Sequence, residues 1–193
     1  NEMFFSNIPI FVEGIEDVAY ITAHLEIMNQ LSEFKRHGCH FVISGGKTNI
    51  SRLLAIAIEL KMPCFVIFDS DSDKTKQVDI ENNRRDNLCI LKMLSITENN
   101  PFPDVTFYGK NVVIWSKNIK EQIKEDFVNS DWDKYKDRVI KENGFSGIKE
   151  KNSILITAIL ERLYEDNKLS KSLNKLCENI IKYAKDVNAY EAN

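Results

Sequence analysis

The sequence predicts an α/β sandwich, Rossmann-like, with a central four-stranded parallel sheet followed by a C-terminal helical region. Three observations carry this expectation. Short apolar runs at Ile8–Val12, 41–43, 64–68 and Val112–Trp115 are β-branched or aromatic and nearly continuous, the mark of strands buried on both faces. Amphipathic stretches separate the runs, which implies right-handed crossovers. Beyond about residue 117 the strand signals stop and only helical periodicity remains.

The elements follow in order. The first run, with Pro9 near its start, leads into a helical pattern over 15–34, with Val18, Ile21, Leu25, Met28 and Leu31 at spacings of three and four. The second run leads into 49–60, where Ile50, Leu53, Leu54, Ala57 and Ile58 share a face and the pattern stops before Pro63. The third is followed by a polar loop over 69–76, a shorter helix over 89–96 and a loop over 98–104 with two prolines. After the fourth run come helices over 119–128, 132–142, Ser153–Glu165 and 169–186, with Gly144 and Gly147 between the middle two. The composition therefore divides the chain softly near Asn118, into a core at 1–118 and a helical part at 119–193 that completes or flanks the site. The first of those helices is expected to pack on the sheet.

Bulk properties exclude several classes of function. With 193 residues, 43% hydrophobic and 28% charged, the chain is long enough for a real core and too apolar for intrinsic disorder. It has no apolar run near the ~20 residues of a membrane helix. It also lacks a signal-peptide pattern at its start, so the expected location is cytoplasmic, with no membrane partner. A net charge of −3 excludes a protein that grips nucleic acid by a basic surface alone. The four cysteines form no CxxC pair, and His37-Gly38-Cys39-His40 lacks a second ligand pair at zinc-site spacing.

In an open parallel sheet, ligands bind beyond the carboxyl ends of the strands, so the residues just after each apolar run are informative. Glu13 follows the first, with Gly14, Glu16 and Asp17 behind it; Asp69, Asp71 and Asp73 follow the third. Carboxylates at neighbouring strand tips repel unless a cation neutralises them, and oxygen-rich sites with room for water suit Mg²⁺ or Mn²⁺. Asp17 also stands where it can serve the next helix N-terminus. The second run ends in Ser44-Gly45-Gly46-Lys47-Thr48, a tight turn whose Lys47 is placed either to meet a phosphate or simply to finish the turn. A Walker A site is excluded, because its first glycine would fall at Phe41, and the chain therefore holds no ATP site. An EF-hand is excluded by Lys74 and Ile80 at its sixth and twelfth positions.

Three stretches together resemble a known family: Val12-Glu13-Gly14-x-x-Asp17, Ser44-Gly45-Gly46-Lys47-x-Asn49-Ile50 and Phe65-Val66-Ile67-Phe68-Asp69-x-Asp71. The pattern, over about residues 7–120, is similar to the Toprim domain of topoisomerases, primases and certain nucleases. The glycine-glycine-lysine turn and helical tail look most like the OLD (overcoming lysogenization defect) family of ATP-dependent endonucleases, which includes the Gabija anti-phage nuclease. That resemblance implies a Toprim-type fold. It implies a two-metal site of Mg²⁺ or Mn²⁺ in which Glu13, Asp69 and Asp71 hold metal and organise the scissile phosphate. It further implies metal-binding roles for Asp17, with Glu16 beside it, and for Glu121, with Asp126 as the alternative. A transition-state lysine is implied at Lys151, with Lys149 second.

Two cations roughly 4 Å apart would activate water and stabilise the leaving 3′-oxygen. Tyr20 lies on the first helical pattern, where packing explains it, so hydrolysis is favoured over strand passage. The implied partners are DNA, an N-terminal ATPase region or separate ATPase subunit, and a second copy of the chain. The start at Asn1 without methionine suggests a C-terminal fragment, or a subunit that borrows its ATPase. Two other readings compete: a catalytically degenerate Toprim interaction module, and a Toprim domain for RNA processing or primer synthesis.

Overall fold

The computed structural model describes residues 2–97, 100–128, 131–145 and 147–191. A 3-10 turn at Glu2–Phe5 precedes strand β1 (Ile8–Val12), helix α1 (Ile15–Ile27), α2 (Leu31–Arg36) and β2 (Cys39–Ile43). Then come α3 (Lys47–Glu59), β3 (Phe65–Asp69), α4 (Gln77–Met93), β4 (Phe107–Tyr108) and β5 (Val112–Trp115). The tail contains α5 (Ile119–Glu125), α6 (Asp131–Asn143), α7 (Ser153–Glu165) and α8 (Lys171–Glu191).

The sheet order is β2-β1-β3-β5-β4. The four expected strands are present and mutually parallel. The expected count of four is corrected to five: β4 adds an antiparallel edge, pairing Phe107 with Ile114 and Tyr108 with Val113. A two-residue strand leaves no alternation in sequence, so its pairing is visible only in three dimensions. The chain passes from β1 to β2 on one side and returns to β3 on the other. The tips of β1 and β3 therefore form a topological switch point, where the sheet opens a crevice.

Alternation along the strands divides the apolar residues between two faces. Ile8, Ile10, Val12, Phe65, Ile67, Val113 and Trp115 pack with α1, α7 and α8. Phe11, Val66, Phe68, Val112 and Ile114 pack with Ile50 and Leu54 of α3 and Ile90 and Leu91 of α4. Because both faces are covered, every residue of β1 and β5 is buried, which produces the continuous apolar runs of the sequence. The helices beyond residue 118 share the first of these cores: α7 packs along α1, and α8 contacts both α1 and α5.

Two helical expectations change. The pattern over 15–34 is two helices, because Asn29 takes a left-handed φ of 55° and turns the chain between them. The helix expected over 89–96 begins at Gln77, within what reads as polar sequence. Its first two turns are mostly exposed, so no apolar stripe marks them. The polar loop expected over 69–76 is accordingly confined between Asp69 and Lys76. Of the loop expected over 98–104, residues 98 and 99 lie outside the described residues. Among the described residues no helix is long and apolar enough to cross a membrane.

The shared core predicts that Leu155→Ala, which empties a fully buried position on α7, lowers the stability of the entire chain by ~3 kcal/mol. In denaturant titration this is a lower midpoint with an unchanged slope. Separate unfolding transitions for the sheet and the helices would contradict a common core.

Candidate metal and phosphate site

The carboxylates are positioned from the backbone outward. Glu13 follows the last residue of β1, and its Oε1 accepts the Asp69 N–H at 2.9 Å, joining the tips of β1 and β3. Asp69 ends β3, and its Oδ1 accepts the N–H of Ile119, the first residue of α5, at 3.1 Å. Asp17, only 5% exposed, turns back along α1 so that its Oδ2 accepts the Gly14 N–H at 2.8 Å. Such a bond satisfies one of the free amides at a helix start.

Asp71 is held differently. Its φ of 56° lies in the left-handed region, which among side-chain-bearing residues Asp and Asn tolerate best. The loop is fixed by Ser70 N–H donating to Trp115 O at 2.9 Å and Asp71 N–H to Lys117 O at 3.2 Å. The Ser72 hydroxyl donates to Ser116 O at 2.6 Å, and the Ser70 hydroxyl donates to the same carbonyl. The Asp71 carboxylate then meets two cations, Lys47 Nζ at 2.9 Å on Oδ2 and Lys74 Nζ at 3.2 Å on Oδ1.

For Lys47 the sequence allows either phosphate contact or a plain turn; the structure buries it at 6% exposure. Its ammonium donates to Asp71 and, at 3.1 Å, to Asn83 Oδ1 of α4, and lies 6.0 Å from the centre of the Phe68 ring. Gly45 (φ 73°) and Gly46 (φ 129°) make the turn that allows α3 to start there. Ser44 N–H and Gly45 N–H donate to the carbonyls of Val12 and Glu13 at 2.9 and 3.0 Å, so the turn is stitched to the tip of β1. The available sequence signal was a lysine directly after paired glycines at a strand end. Its burial depends on Asn83, which no local pattern reveals.

The remaining candidates are less central. Lys151 is 78% exposed in its side chain and pairs with Glu16 Oε2 at 3.0 Å, on the rim of the cluster. This bond, then the charges of Glu16, Asp69 and Asp17, raise its pKa. Glu121 stands in the first turn of α5, its backbone N–H capped by Asn118 at 2.9 Å. Among the described residues no hydrogen bond or ion pair joins its carboxylate to Glu13, Asp69 or Asp71. The alternative, Asp126, is committed elsewhere, accepting from Ser172 N–H at 2.9 Å and from the hydroxyls of Ser170 and Ser172. Asp73 lies 3.9 Å from Lys74 in the loop.

Electrostatics marks the cluster as strained in charge. Burial raises the Asp69 carboxyl well above its usual range, and the negative charges of Glu13, Asp17 and Asp71 add to this. Burial chiefly lifts Asp17 to about 7, opposed by the Gly14 N–H and reinforced by Glu13 and Glu16. Glu13 is raised too, again by burial first, with Lys47 opposing. Among the described residues no group of three or more His, Cys, Asp or Glu side chains is drawn together tightly enough to hold a metal ion. The donor set nonetheless fits Mg²⁺ or Mn²⁺, which need only one or two carboxylates and keep several waters. The second oxygens of Glu13 and Asp69 accept no hydrogen bond from the described residues.

Comparison with known proteins follows the same residues. Residues 4–71, which include Glu13, the glycine-glycine-lysine turn and both aspartates, match the family model described as Overcoming lysogenization defect protein-like, TOPRIM domain. The chain is also similar in structure to the C-terminal region of the Burkholderia pseudomallei OLD protein, with a TM-score of 0.56 and 17% identity. That alignment covers 95% of this chain and 99% of that one. Likeness to the C-terminal region of the Xanthomonas campestris pv. campestris OLD protein gives a TM-score of 0.59 at 14% identity, covering 100% and 98%. No significant match was found among curated proteins. Residues 4–71 are therefore similar to an OLD-like Toprim domain, in a chain whose fold is that of the C-terminal region of OLD proteins.

Proposed function

We propose that this chain is the metal-dependent endonuclease part of an OLD-type ATPase-nuclease, hydrolysing DNA phosphodiester bonds in anti-phage defence or DNA processing. The observation that carries this reading is the convergence of Glu13, Asp17, Asp69 and Asp71 at the switch point, where burial first and neighbouring carboxylates second raise the pKa of Glu13, Asp17 and Asp69. In this reading residues 1–118 form the catalytic core, and 119–193 complete its flank through α5 behind Asp69 and the Lys151–Glu16 contact. The ATPase is an N-terminal region or a separate subunit, the protein is cytoplasmic, and self-association would bring two such sites to one DNA.

Glu13, Asp17, Asp69 and Asp71 would hold the cations, with Glu121 the candidate for the second. When bound, these supply Lewis-acid charge and an activated water for phosphodiester hydrolysis by a two-metal mechanism. The chain's own residues do the positioning. Lys47 holds Asp71 against α4, the Ile119 N–H orients Asp69, and Lys151 stands where it can meet negative charge on a phosphoryl group.

Supercoiled DNA, linear DNA and structured RNA incubated with Mg²⁺ or Mn²⁺ test the reading. Cleavage of DNA is expected, with Glu13→Gln and Asp69→Asn each losing more than about 100-fold, since even the partners of metal ligands contribute about 10–100-fold. Retained cleavage in both variants would refute the site. Metal-induced stabilisation without cleavage of any substrate would favour an interaction module, and cleavage of RNA alone an RNA-processing domain. Lys47→Met is expected to lower the cleavage rate about 10-fold or more by releasing Asp71, with an unchanged far-UV spectrum.

The carboxylates also predict a pH dependence. Asp17 rises from 3.8 to about 7 on folding, so the folded state holds its proton more tightly than the unfolded chain does. Its contribution to stability is full below about pH 4, is lost as pH rises towards 7, and is level above that, a fall of about 4 kcal/mol at most. Asp69 acts in the same direction. The metal-free melting temperature should therefore fall from pH 5 to pH 8, less so in Asp17→Asn, and Mg²⁺ or Mn²⁺ should stabilise more at pH 8. A metal-free melting temperature that climbs over this range would contradict the assignment.

A further inference from the structure

Beside the carboxylates lies a groove of about 460 Å³ to which sequence reading assigned nothing. Lys74, Arg84 and Lys117 supply three cations to its lining, beside the carboxylates Asp71 and Asp104 and the ring of Phe102. The volume is in the range of small-molecule sites. In a chain of net charge −3, a concave surface with more cations than carboxylates is a local reversal of sign.

Its parts are held in register by one residue. Asn87 of α4, fully buried, donates from Nδ2 to Ser70 O at 3.0 Å and to Pro101 O at 2.7 Å. This ties the loop carrying Asp71 to the loop carrying Phe102. The Arg84 guanidinium carbon sits over the Phe102 ring, 5.3 Å from its centre, so two groups that are each planar make a cationic-aromatic wall. Lys74 is shared with Asp71, and Lys117 pairs with Glu125 at 3.2 Å. Arg84 has no anionic partner among the described residues.

A cationic-aromatic wall next to spare positive charge fits a nucleotide with a free base, because stacking needs an exposed π-face and the phosphate needs a cation. A base paired within a duplex keeps its faces against its neighbours and cannot supply one. We propose that the groove between Asp71 and Phe102 receives the DNA nucleotide adjoining the scissile bond in unpaired form, its phosphate against Lys74, Arg84 and Lys117 and its base on the Arg84–Phe102 wall. The inference rests on the nuclease reading for the words scissile bond, and on the groove alone for nucleotide binding. It makes the substrate a strand that is single, gapped or locally opened at the cut.

The test is equilibrium binding of the full chain, in Ca²⁺, to a single-stranded DNA oligonucleotide carrying 2-aminopurine, beside a blunt duplex of the same sequence. Binding with a change in 2-aminopurine fluorescence on the single strand is expected. Phe102→Ala should abolish that change and weaken binding about 10-fold, and Phe102→Tyr should restore both. Arg84→Gln, at an exposed helix position that does not endanger folding, should weaken binding and reduce the slope of log affinity on log salt by about 0.7. Equal affinity and fluorescence in the parent, Phe102→Ala and Arg84→Gln would overturn the groove, even for a chain that cleaves DNA. The same Phe102 dependence on blunt duplex would overturn the requirement for an unpaired base. Phe102-dependent binding by a chain that cuts nothing would uphold the groove while removing the nuclease reading.

Discussion

The hydrogen bond from the Asp69 amide to the Glu13 carboxylate is the contact on which the site depends. It links the two strands between which the chain reverses its direction of growth, and it does so with a group that is also a candidate ligand. A carboxylate used in this way is fixed by the sheet itself, because its donor is a backbone amide of the neighbouring strand. The same economy recurs around it: Asp69 is oriented by the Ile119 amide and Asp17 by the Gly14 amide. Three of the four acids are thus pinned by main chain, whose position follows from the buried hydrophobic layers on either side.

Asp71 is the exception, gripped by side chains. Lys47 comes from the glycine turn after β2 and Lys74 from its own loop, so its charge is balanced by a buried cation and a half-exposed one. Buried charge pairs return little net stability, because each partner gives up its hydration. The pair is better understood as holding the carboxylate in a single orientation within a loop otherwise secured by Ser70 and Ser72. The helical tail contributes at a distance. There α7 packs along α1, the helix that carries Asp17, and the start of α5 supplies the donor for Asp69.

Much of this was legible in the sequence, for identifiable reasons. Strands covered on both faces must be apolar throughout, so β1, β3 and β5 were visible as runs, and the residue after each run could be read as a site position. Glu13, Asp69 and Asp71 were found in that way. Lys151 and Glu121 were reached only by resemblance, and the structure sets the first at the rim and the second in the first turn of α5. The depth of Lys47 was hidden because it is made by α4, whose own first half is mostly polar and exposed and so gives no helical signal. The cationic groove was equally invisible. Its walls come from residues 71–74, 84, 102 and 117, brought together by Asn87, a residue that in sequence is one asparagine within a polar run.

The left-handed backbone at Asp71 has a consequence for how this position can change over time. Chemistry alone would accept glutamate there, since it offers the same charge and the same ligand atoms. The backbone does not, because a longer side chain gains nothing from the local hydrogen bonding that lets aspartate and asparagine rest at positive φ. Asparagine satisfies the backbone but surrenders the charge, and glycine surrenders the side chain altogether. The position is therefore filtered twice, by fold and by charge, and aspartate alone passes both filters. The open evolutionary exits keep the shape of the loop while discarding its anion, a route by which a lineage could lose the charge and keep the fold.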